Sequence, residues 1–222
     1  RQPNLEEALR SNGQFLEIPR LTVESRNAAY RQRARILLEM RRPEEADETL
    51  RRLSPTAAQT AESGLLRAQV ALLTAELLEP LDSAEKQAKY REKMAEAQEI
   101  LGGVEKQALA DDALLAQASY LRARSAELSG DFDNALSGYE KTWIRFAGRP
   151  EAWAARFRMA QLNRRLGRVE QTVEGLRGVL GGISDADAFV NRWVSLNEVR
   201  DETAAALRQY LGQGEFAASL SL

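Results

Sequence analysis

Between its prolines and glycines the chain places apolar residues three and four apart, the spacing of amphipathic helices rather than the two-residue alternation of strands. That spacing predicts helices near 24–41, 44–53, 57–79, 83–101, 109–129, 132–147, 150–166, 169–180 and 185–211, with a short one near 4–11. The runs are built largely from Ala, Leu, Glu, Gln and Arg, all strong helix formers. Pro43, Pro55, Pro80 and Pro150 stand between periodic runs, as do Gly102-Gly103, Gly130, Gly148, Gly167, Gly181-Gly182, Gly212 and Gly214. Proline cannot continue a helix, and glycine relieves the left-handed backbone that ends one. The best extended candidate, Phe15 to Leu21, is broken by Pro19 and reads as a connector. Short connections between successive helices force antiparallel hairpins. In the last predicted helix Phe189, Trp193, Leu196, Val199, Thr203, Leu207 and Tyr210 fall on one face, with Ser184 or Asp185 as N-cap. A long terminal helix with one apolar face suits the open end of a helical array.

The pattern also repeats. Arg33-Ala34-Arg35, Arg67-Ala68-Gln69, Arg122-Ala123-Arg124 and Met159-Ala160-Gln161 occupy similar positions in four helices, their alanines separated by 34, 55 and 37 residues. A small side chain there lets a neighbouring helix approach closely. Seven residues after Ala123 and Ala160 come Gly130 and Gly167, placed to close those helices. Two second helices end alike, in Ile100-Leu101-Gly102-Gly103 and Val179-Leu180-Gly181-Gly182.

These features resemble the tetratricopeptide repeat, a helix-turn-helix unit of about 34 residues. The clearest copy is 116–150, with Ala123, Gly130-Asp131-Phe132, Ala135, Leu136, Tyr139 and a late Pro150. The copy at 153–182 has Met159-Ala160, Gly167-Arg168-Val169 and Leu176, but Thr172 stands where the family has alanine. The first copy carries Tyr30, Ala34, Leu37, Pro43-Glu44-Glu45-Ala46 and Leu50; the second, 61–104, has extra residues around Glu79 to Glu85 and matches worst. The resemblance implies an all-α fold: a right-handed superhelical array of antiparallel helix pairs, closed by a C-terminal capping helix. Residues 1–25 become a short helix and connector, 26–182 about four degenerate hairpin repeats, and 183–222 the cap and tail.

Composition narrows the chemistry. The 222 residues contain no cysteine and no histidine, which removes disulfides, thiolate nucleophiles, the commonest general base and the commonest metal ligand. No phosphate-binding glycine loop is present, and Gly212-Gln213-Gly214 lacks both a third glycine and a preceding strand. Acid pairs such as Glu92, Glu96 and Glu99 lie among Lys89, Arg91 and Lys93, the signature of a solvated, salt-bridged face. No enzymatic activity, cofactor or metal is expected. A net charge of −2 gives no global attraction to nucleic acid or anionic lipid. The most apolar stretch, Leu65 to Leu78, contains Arg67 and Glu76 and falls short of the roughly 20 residues of a membrane span, so it reads as a buried helix. No signal peptide is visible, and the opening Arg1 points to an upstream segment outside this sequence. A soluble protein of the cytoplasm or periplasm fits. The bias of 26 arginines to 5 lysines suits a GC-rich bacterial source.

Charge placement is the remaining signal. Lys141, Arg145, Arg149, Arg156, Arg158, Arg164, Arg165 and Arg168 share their stretch with a single acid, Glu151, and Arg26, Arg31, Arg33 and Arg35 cluster on the first long helix. Arginine forks hold carboxylates or phosphates with two parallel bonds; solvated charge offset by acids elsewhere in the fold is the plainer reading. The tetratricopeptide resemblance implies that first helices line a concave groove that takes a partner segment. Carried onto this chain, its partner-binding positions are Arg31, Arg35, Gln69, Tyr120, Arg124, Phe157, Gln161 and Arg164, together with Leu65. Tyr120 and Phe157 would be apolar anchors, or else would pack between helices. The lysine–asparagine clamp by which some members hold chaperone tails is not matched, because Arg31 and Arg35 stand at its first-repeat positions. The expected function is a non-catalytic protein-interaction scaffold for a protein or peptide, an acidic one fitting best. The alternative is a self-association piece of a larger bacterial assembly, with Trp153 and Trp193 as contact residues if exposed.

Overall fold

Ala34, Ala68, Ala123 and Ala160, the alanines of the repeat, are all buried. The computed structural model describes residues 4–183 and 189–222. Among them run twelve helices and no strand: α1 (Leu5–Leu16), α2 (Val23–Glu39), α3 (Pro43–Leu50), α4 (Pro55–Ala58), α5 (Ala61–Leu77), α6 (Ala84–Gln107), α7 (Asp112–Leu128), α8 (Phe132–Arg145), α9 (Pro150–Arg165), α10 (Val169–Gly181), α11 (Leu196–Gln213) and α12 (Phe216–Ser221). They divide into two units, Arg1–Leu121 and Arg122–Leu222, with the division falling inside α7.

Three hairpins share one turn. Seven residues after Ala34, Ala123 and Ala160 the backbone enters the left-handed region, at Arg41 (φ +57°), Gly130 (φ +76°) and Gly167 (φ +72°). The next N–H then returns to the carbonyl five residues back: Arg42 to Leu37 at 2.8 Å, Asp131 to Ala126 and Arg168 to Asn163 at 2.9 Å each. This closes the exposed end of one helix and starts the next at once. Twelve residues beyond each alanine stands a fully buried compact side chain, Ala46, Ala135 or Thr172. The α11–α12 turn is built in the same way, with Gly214 at φ +78° and Glu215 N–H bonded to the Tyr210 carbonyl at 2.9 Å.

Within the first unit α2 packs on α1, α3 and α5, and α5 packs along α6. Leu9, Ile36, Leu37, Leu50, Leu66 and Val70 form one of its apolar clusters. In the second unit α9 packs against α8 and α10, and α11 and α12 cover α10. Phe157, Leu176, Val179, Val194, Val199 and Tyr210 make the corresponding cluster. Helix approach there depends on missing side chains. A Cβ added at Gly138 would stand 2.9 Å from the Ala123 Cβ, and one at Gly175 would stand 2.8 Å from the Ala160 Cβ. Both distances are below van der Waals contact, so each alanine–glycine pair sets a close crossing.

Several predicted boundaries move. Helix α6 runs straight through Gly102-Gly103, because Met94, Ala97, Leu101 and Val104 continue one buried stripe past them. Burial of Leu101 and Val104 outweighs the roughly 1 kcal/mol that each helical glycine costs relative to alanine. The predicted helix 57–79 is broken by a turn at Gln59 and restarts from the Thr60 cap. The predicted helix 185–211 begins only at Leu196, where Ser195 and Glu198 form a reciprocal capping box. Phe189 and Trp193 lie before it, in a segment turned by the Asn191 side chain, which accepts from the Trp193 N–H at 2.8 Å. The proposed caps Ser184 and Asp185 fall outside the described residues. The short helix α12 was not expected, and α1 extends to Leu16, into the stretch read as a connector.

Candidate functional site

The residues expected to bind a partner lie on α2, α5, α7 and α9, and the structure places each in a specific local setting. In the first unit Arg31 and Arg35, one turn apart on α2, both reach Glu62 at the start of α5. Arg31 Nε lies 2.9 Å from one carboxylate oxygen, and Arg35 donates to the other. Gln69, two turns further along α5, is half-buried. Arg33 instead points back to α1 and donates to the Leu9 carbonyl at 3.4 Å. Tyr120 is buried.

In the second unit the carboxylates that hold the arginines are more deeply buried. Arg164 on α9 bonds Glu202 of α11 through Nε and, at 3.3 Å, through a second nitrogen, and it donates to Gln209 at 2.9 Å. Gln161 joins the same carboxylate at 3.4 Å and accepts from Arg158 at 3.2 Å. The bond to Glu202 outweighs the effect of burial and raises the pKa of Arg164, so the guanidinium stays charged. Arg124 pairs with Glu127 at 2.8 Å on its own helix. Glu127 also accepts from the Tyr139 hydroxyl at 2.6 Å and lies 3.5 Å from Arg165. Burial alone would push its carboxyl pKa up; Arg124, Arg158 and the Tyr139 hydroxyl together hold it below the usual range.

Phe157 is 1% exposed and belongs to the core of the second unit. Of the two roles open to it, the structure shows the packing between helices. The tryptophans weighed for self-association also work inside this unit. Trp193 Nε1 donates to the buried Glu151 at 2.9 Å, and Trp153 lies against Gly182, so closely that a Cβ there would overlap its ring. Trp153 meets Trp143 edge-on with ring centroids 5.6 Å apart, and Arg156 lies 4.6 Å over Trp143. The basic stretch 141–168 is thus partly spent on ring faces: Arg145 stacks over Phe146 and Arg165 over Phe132.

What the arrangement can do chemically follows from these contacts. Sequence reasoning found the arginines and missed their partners, Glu62, Glu127 and Glu202. Only Arg124–Glu127, three residues apart, carried a local signal; the others lie 27 to 38 residues away in the chain. Among the described residues no group of three or more acidic side chains is placed to hold a metal ion, and no helix is long and apolar enough to cross a membrane. Comparison with protein-family models and with curated proteins gives no match to this chain.

Proposed function

We propose that this chain is a non-catalytic interaction scaffold: tetratricopeptide-like helix pairs, wound as a right-handed superhelix, that hold a partner segment along their first helices. The observation that carries the reading is the recurrence of one helix-turn-helix geometry, with Ala123, Gly130 and Gly138 followed 37 residues later by Ala160, Gly167 and Gly175 in the same roles. A repeated hairpin presents the same face of successive helices again and again, which is what an extended docking surface requires. Arg31, Arg35, Arg124 and Arg164 on that face are braced before any partner arrives, and fixed side chains lose little freedom on binding. Absence of histidine and cysteine, together with the lack of any catalytic motif, supports a role without chemistry.

Photo-crosslinking in the source cells tests this directly. A crosslinking residue at Gln69 or Gln161 is expected to trap one discrete protein, and one at the exposed Arg52 or Gln171 to trap none. Uniform labelling from all four positions, or none from any, contradicts the reading.

A second reading, self-association, is favoured by one feature. Leu211, Phe216 and Leu220 on α11 and α12 are large, apolar and exposed, Leu220 by 90%. Sedimentation across a hundredfold concentration range separates the two: an unchanging monomer removes it.

A further inference from the structure

Arg67 differs from the arginines of the first-helix face. It stands immediately before the repeat alanine Ala68, on the other flank from Gln69, and is half-buried. Among the described residues it makes no hydrogen bond and no ion pair. It lines a cleft of about 490 Å³ between α3, α5 and α6, within the first unit. Across the cleft, Lys89 and Lys93 sit one turn apart on α6. Lys93 is bonded to Glu96 at 2.6 Å, and Asp47 on α3 is taken by Arg51 at 2.5 Å. With those pairs set aside, Arg67 and Lys89 face one remaining acid in the lining, Glu44. Val70 and Pro43 supply apolar wall, and the Thr74 hydroxyl, two turns along α5 from Arg67, also has no bonding partner among the described residues.

A half-buried guanidinium without a carboxylate is the group whose hydrogen-bonding capacity remains open. Arg31, Arg35 and Arg164 each already hold a carboxylate of the chain itself. We infer that this cleft, and not the first-helix arginines, is the acid-reading site of the scaffold: it receives the side-chain carboxylate of an acidic partner segment between Arg67 and Lys89, with Thr74 as a further donor. The inference rests on the scaffold reading above and names the partner chemistry.

Titration calorimetry of the whole chain at low salt, with an end-blocked hexaglutamate peptide as probe, tests it. Arg67→Gln with Lys89→Gln is expected to weaken binding at least tenfold. Arg10→Gln with Lys106→Gln, an equal loss of charge at exposed positions, is expected to change it less than twofold, and a hexalysine peptide is expected not to bind. Thermal melts of all variants should match, because neither Arg67 nor Lys89 contributes a bond to the fold. Equal losses in the two double variants would mean diffuse attraction and overturn the cleft, as would absence of binding by the unaltered chain at millimolar peptide. Tight competition by inorganic phosphate would also overturn it, in favour of a phosphate site. Loss of binding through Arg35→Gln with Glu62→Gln, and not through the cleft, would move the site to the α2–α5 face while leaving the scaffold reading intact. Failure of the crosslinking at Gln69 and Gln161 would sink the scaffold reading without touching the titration.

Discussion

Glu62 in the first unit and Glu127 in the second each gather arginines, among them the one directly after a repeat alanine, yet they are different kinds of contact. The Glu62 side chain is 38% exposed and answers Arg31 and Arg35 across two helices, in reach of water. That of Glu127 is 4% exposed, bonded to a buried tyrosine and hemmed by Arg124, Arg158 and Arg165. One sequence pattern therefore yields a solvated brace in one unit and a buried junction in the other. The arginine directly after the alanine, Arg35 or Arg124, forms an ion pair in both units, and the depth of the carboxylate decides its weight.

The largest contrast lies in removing the acids. Glu127→Ala leaves the half-buried Arg124 and the buried Tyr139 hydroxyl without this acceptor, and is expected to cost the second unit about 3–5 kcal/mol. Glu62→Ala is expected to cost the first unit about 1 kcal/mol or less, as for other exposed pairs. All three tryptophans, Trp143, Trp153 and Trp193, lie in the second unit, so urea unfolding followed by tryptophan fluorescence reports that unit alone. The folded pKa of Glu127 is depressed, so its contribution is complete above the ordinary value of 4.5 and drains away as pH falls through the lower folded value. Glu127→Gln should flatten the acid limb of the fluorescence-detected stability profile; an unchanged limb would mean that other carboxylates govern it.

Glycine sharpens the comparison next. Gly175→Ala forces a Cβ to 2.8 Å from the Ala160 Cβ and 3.3 Å from its Cα, and is expected to destabilise the second unit by about 1–3 kcal/mol. Gly102→Ala in α6 meets nothing within 4 Å and is expected to stabilise the first unit by up to about 1 kcal/mol. Circular dichroism melts should move in opposite directions; shifts of the same sign would break the close-crossing account. Smaller still is the turn pair. Gly130→Ala at φ +76° is expected to cost about 1 kcal/mol, and Arg41→Gly at φ +57° to gain somewhat less, since Arg41 also touches Glu76 at 3.3 Å.

Much of this architecture was legible in the residues. Helical spacing, proline and glycine punctuation and the alanines seven residues before Gly130 and Gly167 located most helices and two of the left-handed hairpin turns. Two local signals were outweighed. Gly102-Gly103 looked like a helix end, although Leu101, Val104 and Ala108 already carried the buried stripe beyond it. Phe189 and Trp193 fell by coincidence on the helical period of the residues after them, while the Ser195–Glu198 capping box, a readable signature, marked the true start. The candidate face was half legible. Its arginines could be named, but which acid each would meet depends on how α2 lies on α5 and α9 on α11, a tertiary fact that no local spacing encodes. The Arg67 cleft escaped for the same reason, since its lysines come from a helix some 22 residues further on.

A pair of double-mutant cycles bears most directly on how the two units hold their arginines. Removing Arg164 and Glu202 singly and together, with fluorescence-detected urea unfolding, should give a coupling energy of about 1–3 kcal/mol, whereas the Arg35–Glu62 cycle read by circular dichroism should give less than about 1 kcal/mol. Equal couplings, or a larger one at the exposed Glu62, would contradict the claim that carboxylate depth sets what these arginines are worth.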